Sequence, residues 1–207
     1  HLKGVFDEFT LSDTHQKACW INPRFIPHKK IAEQVTDLAE NEGIVSDGQL
    51  IAALLTNETH QKWSQTGIDL EDISAREINS NDLVILKNSW ELFQINGEQI
   101  RRDIDLLKMN FVRNEQDFPH AIFTSPNEIY IEEGAIIEPG AMILADTGPI
   151  FIGKNAKIMA NSIVRGPSAI CEKSVVKMGA KIYEDTTVGP VCKVGGEIAN
   201  TIFHSYS

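Results

Sequence analysis

The chain has 207 residues, a formal net charge of −10 at pH 7 and 42% hydrophobic residues. This length can bury the core of one or two domains, whereas the acidic balance disfavours nonspecific nucleic-acid binding, which needs a basic surface. No run of about 18 apolar residues predicts a membrane span, and no cluster of His, Cys, Asp or Glu predicts a metal site. Few cysteines and no signal-peptide pattern indicate a cytoplasmic protein.

The first half of the chain is predicted to form a mixed α/β domain. Ile31, Val35 and Leu38 recur at helical spacing. Asp47-Gly48 separates two apolar runs and predicts a hairpin, because both residues tolerate a positive φ. A short strand is expected over residues 81–87.

A second helix is predicted from apolar residues at helical spacing, namely Trp90, Phe93, Ile100, Ile104 and Leu107. Asn96-Gly97 is expected to break or restart this helix. The following segment, residues 110–120, is polar and contains Pro119. It predicts a boundary between a domain of residues 1–118 and a domain of residues 119–207.

The second half repeats every six residues. Aliphatic residues recur at this spacing, with one nine-residue step before Ile152: Ile131, Ile137, Ile143, Ile152, Ile158, Val164, Ile170, Val176, Ile182, Val188 and Val194. A small residue follows most of them by four positions: Ala135, Ala141, Ala156, Ser162, Ser168, Ser174, Ala180, Thr186 and Cys192. A period of six predicts a β-solenoid of triangular coils, about 18 residues each, with the aliphatic residues stacked inside.

Three to four coils are expected between Ile131 and Gly196, with extra residues bulging from a corner around Asp146 to Pro149. Glycines near the corners are expected to supply unusual φ angles, at Gly134, Gly140, Gly153, Gly179, Gly189 and Gly195. An ordinary β-sandwich is the alternative, but it has no reason to keep a strict period of six.

These hexads resemble those of the bacterial hexapeptide-repeat transferases, which form a left-handed parallel β-helix; the handedness comes from that resemblance alone. The stretch that begins GPIFIGKNAKIMANSIVRGPSAICEKSVVKMGAK, together with NSWELFQINGEQIRRDIDLL, is similar to the sugar-1-phosphate nucleotidyltransferase/acetyltransferase family. Its known members include bifunctional N-acetylglucosamine-1-phosphate uridyltransferase and glucosamine-1-phosphate acetyltransferase. Within the family, the sequence resembles most the branch found in Bacteroidetes-type bacteria.

The resemblance implies a nucleotidyltransferase-like α/β domain at residues 1–118, followed by a left-handed β-helix at residues 119–207. It implies a reaction in which a nucleoside triphosphate and a sugar 1-phosphate form a nucleotide sugar and pyrophosphate. The nucleotide sugar would be one such as UDP-N-acetylglucosamine, a precursor for the cell envelope. Mg²⁺ would assist this reaction, acetyl-CoA would serve a second N-acetyltransferase activity, and the chain would form a homotrimer.

Two elements of that family are not found in this sequence. The first half has no Gly-rich loop with a basic residue for the triphosphate, since Lys3-Gly4 is too short a match, and the general-base His of the acetyltransferase would follow the segment that ends here. We therefore expect a fragment that lacks part of both sites, and the catalytic residues stay unassigned.

Three basic residues are predicted to bind substrate. Lys177 aligns, by resemblance, with a family Arg that binds the phosphate of the sugar phosphate, although Lys lacks the bidentate geometry of Arg. A family Lys expected nearby is replaced by Gly195-Gly196. Arg165 and Lys193 face outward by the period and are candidates for phosphate or nucleotide binding; surface charge is the alternative for all three.

Two further functions compete with nucleotidyl transfer. The chain is either a non-catalytic trimerising β-helix scaffold, or a hexapeptide acyltransferase of other specificity in which His204 is the only available general base. His204 falls on a small-residue position, so the regular coil is expected to loosen there. Cys192 is expected inside a corner and Cys171 outside, with no reactive-thiol role for either.

Overall fold

The computed structural model describes residues 17–26, 29–79, 83–107 and 117–207. The chain divides into two compact units, residues 1–87 and residues 88–207. The domain boundary predicted at residue 118 stays a prediction. Among the described residues, no helix is long and apolar enough to cross a membrane.

The first unit is built on a mixed four-stranded sheet of order β1-β4-β3-β5, in which β5 alone runs parallel to its neighbour. A separate antiparallel pair joins β2 and β6. The elements are β1 (Lys17–Ile21), β2 (Phe25–Ile26), α1 (Lys29–Thr36), β3 (Glu42–Ser46), β4 (Gln49–Thr56), α2 (Asn57–Thr66), a 3-10 turn (Leu70–Asp72), β5 (Ser74–Glu77) and β6 (Val84–Ile85).

The local signals in this unit are confirmed. Asp47 and Gly48 have φ angles of 47° and 72°, which matches the two-residue hairpin turn that joins β3 to β4. Helix α1 buries Ile31 against the sheet residues Ile44 and Ile51. Of the strand predicted over residues 81–87, the structure describes residues 83–87, and these contain β6 (Val84–Ile85).

Some residues named from the sequence cannot be located. Lys3, Gly4 and most of the polar segment 110–120 lie outside the described residues.

The second unit is a parallel β-solenoid with one helix packed along it. The helix is α3 (Glu91–Leu107). The strands are β7 (Ile122–Thr124), β8 (Ile129–Ile131), β9 (Ile136–Ile137), β10 (Met142–Leu144), β11 (Ile150–Ile152), β12 (Lys157–Ile158), β13 (Ile163–Arg165), β14 (Ser168–Ile170), β15 (Val175–Val176), β16 (Lys181–Ile182), β17 (Thr186–Val188), β18 (Lys193–Val194), β19 (Glu197–Ile198) and β20 (Ile202–Phe203).

The strands stack into three flat faces. Their orders are β19-β16-β13-β10-β7, β20-β17-β14-β11-β8 and β18-β15-β12-β9. Every predicted inward aliphatic residue is buried, and most have no exposed surface at all. The small-residue positions from Ala141 to Cys192 are buried as well, so the predicted fold, a mixed α/β part followed by a β-solenoid, is confirmed.

Between Ile131 and Gly196 the structure has eleven strands, β8 to β18, which make the three to four coils predicted, and further strands extend the solenoid at both ends. Within residues 117–207, two faces have five strands and the third has four. The additional coil begins at Ile122, where the aromatic Phe123 packs against the core in place of an aliphatic residue. The nine-residue step is confirmed as the loop that joins Leu144 to Ile150.

The corner glycines have two different roles. Gly134, Gly140 and Gly179 have positive φ angles, as predicted. Gly153, Gly189 and Gly195 do not, so for them the prediction is wrong. A Cβ at Gly153 would lie 2.7 Å from the Glu172 backbone nitrogen, and a Cβ at Gly189 would lie 2.5 Å from the Phe203 carbonyl oxygen, because neighbouring coils approach closely there.

Helix α3 is continuous, so the break predicted at Asn96-Gly97 is wrong. Its Ile100 and Ile104 pack on the outer side of β8 at Tyr130. The buried Asn96 donates from Nδ2 to the Asp185 carbonyl oxygen at 2.8 Å and accepts from the Thr187 hydroxyl at 3.0 Å. Asn96 thus anchors the helix to the solenoid, and this contact outweighs the weak helix propensity of the Asn-Gly pair.

Candidate functional site

Lys177 and Lys193 line the same cleft of the solenoid. This cleft has a volume of about 560 Å³ and is also lined by Met178 and Ile198. Strand β15 pairs with β18 so that Val175 lies beside Lys193. Strand spacing and rise then separate the two lysine Cα atoms by about 8 Å.

A glycine leaves room for the Lys177 side chain. A Cβ at Gly195 would lie 3.3 Å from both Cβ and Cδ of Lys177, so the methylene stem of the lysine runs over the Gly195 backbone. This is the place where the family resemblance implied a second lysine. Gly195 therefore lets the Lys177 stem lie flat on the neighbouring coil.

The two lysines of this cleft differ from the other described basic residues of the solenoid strands and corners. Those others all lie within 4 Å of a glutamate, in the pairs Lys154–Glu133, Lys157–Glu138, Arg165–Glu184, Lys173–Glu172 and Lys181–Glu197. In the part of the chain that the structure describes, neither Lys177 nor Lys193 has an acidic partner. The cleft thus keeps uncompensated positive charge on an acidic protein, which suits an anionic ligand.

Arg165 lies in a different cleft, of about 240 Å³, together with Asp146, Lys181 and Tyr183. Its Nε is 3.2 Å from a carboxylate oxygen of Glu184. The structure therefore does not bring Arg165 together with the two lysines, and its predicted substrate role stays a prediction.

The Asp146 carboxylate in this second cleft is already engaged. It accepts hydrogen bonds from the hydroxyls of Thr124 and Ser125 at 2.6 and 2.9 Å. These bonds hold the pKa of Asp146 below its usual value. The carboxylate thereby fixes the three-residue insertion to the preceding coil.

His204 is exposed and lines a third cleft, with Ser89 and Phe93, rather than the lysine cleft. The regular period ends near it, because Val188 pairs with Phe203, fifteen residues later, whereas Ile170 pairs with Val188 across eighteen. The coil therefore shortens where the sequence predicted that it loosens.

Neither solenoid cysteine is a nucleophile in this structure. Cys192 is fully buried in its corner, as predicted, and its Sγ donates to the His204 carbonyl oxygen at 2.9 Å. Cys171 is partly buried, and this burial raises its pKa to about 11. A thiol that stays protonated at neutral pH is a poor nucleophile.

The described residues do not form a magnesium site. In that part of the chain, no three His, Cys, Asp or Glu side chains lie together. Asp72, in the acidic segment of residues 69–82, accepts from Lys62 Nζ at 2.5 Å and from Trp63 Nε1 at 3.0 Å, and the Lys62 hydrogen bond lowers its pKa. Glu77 accepts from the Asp47 backbone nitrogen at 2.8 Å. Both carboxylates are used by the fold.

Sequence reasoning missed the contrast between paired and unpaired lysines. The period predicted that Lys177 and Lys193 face outward, but pairing depends on side chains of adjacent coils, such as Glu138 beside Lys157. In four of the five pairs the glutamate lies 16 to 21 positions away, on a neighbouring coil, and this spacing was the available signal.

A comparison with known families gives one match. A family model described as sugar nucleotidyl transferase matches residues 1–110, which is more than half of the chain. The matched segment includes α3, the helix that packs on the solenoid. A comparison with curated proteins found no match.

Proposed function

The chain belongs to the sugar nucleotidyl transferase family, and from this premise we propose that it forms a nucleotide sugar from a nucleoside triphosphate and a sugar 1-phosphate. A phosphate oxygen of the sugar phosphate attacks the α-phosphorus, and the bond from that phosphorus to the departing pyrophosphate breaks. The match over residues 1–110 is the observation that carries this proposal.

The lysine cleft supports sugar-phosphate binding on the solenoid. The ammonium groups of Lys177 and Lys193 would neutralise a phosphate, and the apolar side chains of Met178 and Ile198 line the same cleft. Arg165, held beside Glu184, is a weaker candidate for the same task because its charge is already compensated.

An acetyl-CoA-dependent acyl transfer on the solenoid is less well supported. It needs a general base within reach of the bound amine. His204, the candidate from the sequence, does not line the lysine cleft. Nucleotidyl transfer is therefore the better-supported activity, with UDP-N-acetylglucosamine as the proposed product.

Magnesium and a homotrimer belong to this proposal as well. Since the described carboxylates form no metal site, the ion would be carried by the triphosphate itself. A trimer is supported by apolar side chains on the two faces that α3 leaves open, where Ile122 and Ile136 are 50% and 51% exposed.

The activity test is pyrophosphate release from UTP and N-acetylglucosamine 1-phosphate in the presence of Mg²⁺. We expect release that needs both substrates and stops when EDTA removes the metal. Absence of release with every combination of nucleoside triphosphate and sugar phosphate, from a protein that sediments as a trimer, would favour the scaffold alternative.

The binding test compares three lysines by calorimetry with a sugar 1-phosphate. Lys177→Ala and Lys193→Ala are each expected to weaken binding about tenfold, because each removes a charge-assisted hydrogen bond. Lys173→Ala is the matched control, since Lys173 is an exposed solenoid lysine that already lies 3.7 Å from Glu172. Equal losses in all three variants would contradict a specific phosphate site.

A further inference from the structure

The third cleft of the solenoid unit has features of a ligand site that differ from those of the lysine cleft. One wall is Ser89, in the turn before α3, with Leu92 and Phe93 of the first helical turn. The other wall is the coil of β19 and β20, which contributes Asn200, Thr201, Ile202 and His204. The volume of the cleft is about 320 Å³. Small-molecule sites occupy about 300–1,000 Å³, so this cleft suits a ring with a pentose rather than a complete nucleotide sugar.

The lining of this cleft is poor in charged residue types. None of the seven lining residues is Asp, Glu, Lys or Arg, although 23% of the chain is charged. A phosphate or carboxylate would find no counter-charge here, in contrast to the cleft of Lys177 and Lys193. The lining therefore selects for a neutral part of a ligand.

Aromatic surface is available at this cleft. Phe93, in the first turn of α3, is 42% exposed, and Trp90, in the turn directly before the helix, is 55% exposed. The exposed imidazole of His204 stands on the other wall. Aromatic faces left open to solvent beside a cleft are platforms for stacking a planar ring.

Hydrogen-bonding groups at the cleft are free. Among the described residues, the Ser89 hydroxyl, the Asn200 amide and the His204 imidazole have no hydrogen-bond partner. The Thr201 hydroxyl, by contrast, donates to the Ala199 carbonyl oxygen at 2.7 Å. An amide, a hydroxyl and an imidazole together offer the donors and acceptors that match the edge of a heterocycle.

We propose that this cleft binds a nucleobase, stacked on Phe93 and hydrogen-bonded through Ser89, Asn200 and His204. The base would belong to a nucleoside or a nucleotide, and its phosphates would lie outside the cleft. The site would be additional to the one for nucleotidyl transfer, because its lining has no Lys or Arg for a triphosphate. Nucleosides test it separately, since they carry no phosphate to transfer.

The experiment is calorimetry of the full chain with uridine and, in a separate arm, adenosine, so that the preferred base is identified. We expect one site per chain. Phe93→Ala is expected to weaken binding about tenfold or more, since it removes a stacking surface. Phe93→Tyr keeps the ring and should bind within about twofold of the unchanged protein.

Two controls separate this site from others. Leu106→Ala removes another exposed apolar side chain of α3, 57% exposed and outside the cleft lining, and should leave affinity unchanged. Ribose 5-phosphate should not displace uridine. If Phe93→Ala does not fold, as judged by its thermal melt, Ser89→Ala takes its place with an expected loss of about threefold.

The proposal is overturned if neither nucleoside binds, if a folded Phe93→Ala or its Ser89→Ala replacement binds as the unchanged protein does, or if ribose 5-phosphate competes with uridine. Each result is independent of pyrophosphate release. Failure of the nucleobase site is therefore distinguishable from failure of the proposed nucleotidyl transfer.

Discussion

The two units of the chain bury their cores in different ways. In the solenoid each inward residue stacks on its equivalents in the adjacent coils, as Val176 does between Ile158 and Val194. In the first unit one sheet buries residues on both sides, with Ile44 in one cluster and Val45 in another. A solenoid is held by nearest-neighbour contacts, whereas the sheet depends on elements distant in sequence.

This difference explains where the solenoid can carry function. A coil needs only its neighbours, so one departure from the repeat leaves the remaining coils intact. The candidate sites lie at such departures. One is formed by Lys177 and Lys193, which have no acidic partner among the described residues, and the other is the shortened coil beside His204. In the first unit, by contrast, Asp72 and Glu77 serve the fold.

The largest expected effect comes from truncating a buried side chain in the solenoid core. Ile158 has no exposed surface, so Ile158→Ala should lower the free energy of unfolding by about 2–5 kcal/mol. Hydrogen exchange should accelerate in the coils of Ile137 and Val176, which flank it, and not in β3 and β4. Leu106→Ala, which truncates a 57% exposed apolar side chain of α3, is the control and should cost less than about 1 kcal/mol. Equal acceleration in β3 and β4 would break the contrast between local and distributed stability.

The second expected effect is a difference in thiol reactivity between the units. Cys19 is exposed on β1, whereas burial raises the pKa of Cys171 from its ordinary 9.0 to about 11. At pH 8 about one in a thousand Cys171 side chains would be thiolate, so iodoacetamide should label Cys19 first. Labelling should be followed by peptide mass spectrometry, with Cys171→Ser to assign the slow site. Equal rates at pH 8 would show that Cys171 is not held neutral.

The same shift makes stability depend on pH. Because the folded state keeps the Cys171 thiol protonated more strongly than the unfolded state does, this group stabilises the fold below pH 9, and the contribution is lost as the pH rises toward 11.

The sequence predicted the solenoid well because burial there repeats at fixed spacing, so each inward residue from Ile131 to Val194 could be named. It failed where another contact replaced the repeat. Phe123 fills the first coil although it is not aliphatic. Asn96-Gly97 remains helical because the Asn96 side chain is held by the solenoid: it accepts a hydrogen bond from the Thr187 hydroxyl and donates one to the Asp185 carbonyl oxygen.

The candidate site was predictable only in part. Outward orientation of Lys177 and Lys193 follows from the period. Their shared cleft, and the absence of acidic partners among the described residues, depend on the register between coils. The cleft at Phe93 could not be predicted, since it requires the packing of α3 beside His204.

A smaller effect should separate the two kinds of corner glycine. Gly153→Ala should cost about 1–3 kcal/mol, because its Cβ would meet the backbone of Glu172 and Cys171 at 2.7 and 2.9 Å. Gly179 has a φ of +71° and no atom within 4 Å of an added Cβ, so Gly179→Asn should cost less than about 1 kcal/mol. Urea unfolding measures both; a larger cost for Gly179→Asn would mean that φ, not the close approach of coils, decides these positions.

The smallest effect has the opposite sign. Val191 has a φ of 60°, a left-handed conformation that a β-branched residue adopts only at a cost of about 1–2 kcal/mol. Two coils earlier, the equivalent corner position is occupied by Asn155, with a φ of 56°. The hairpin of the first unit places Asp47 and Gly48 at its positive φ angles. Val191→Asn should therefore raise the free energy of unfolding by about 1 kcal/mol, whereas Val191→Thr, which keeps the branch at Cβ, should not. If both variants change stability equally, the contribution of Val191 comes from its side-chain contacts rather than from its positive φ. The solenoid corner would then tolerate a backbone strain that the hairpin avoids by placing Asp and Gly at its positive φ angles.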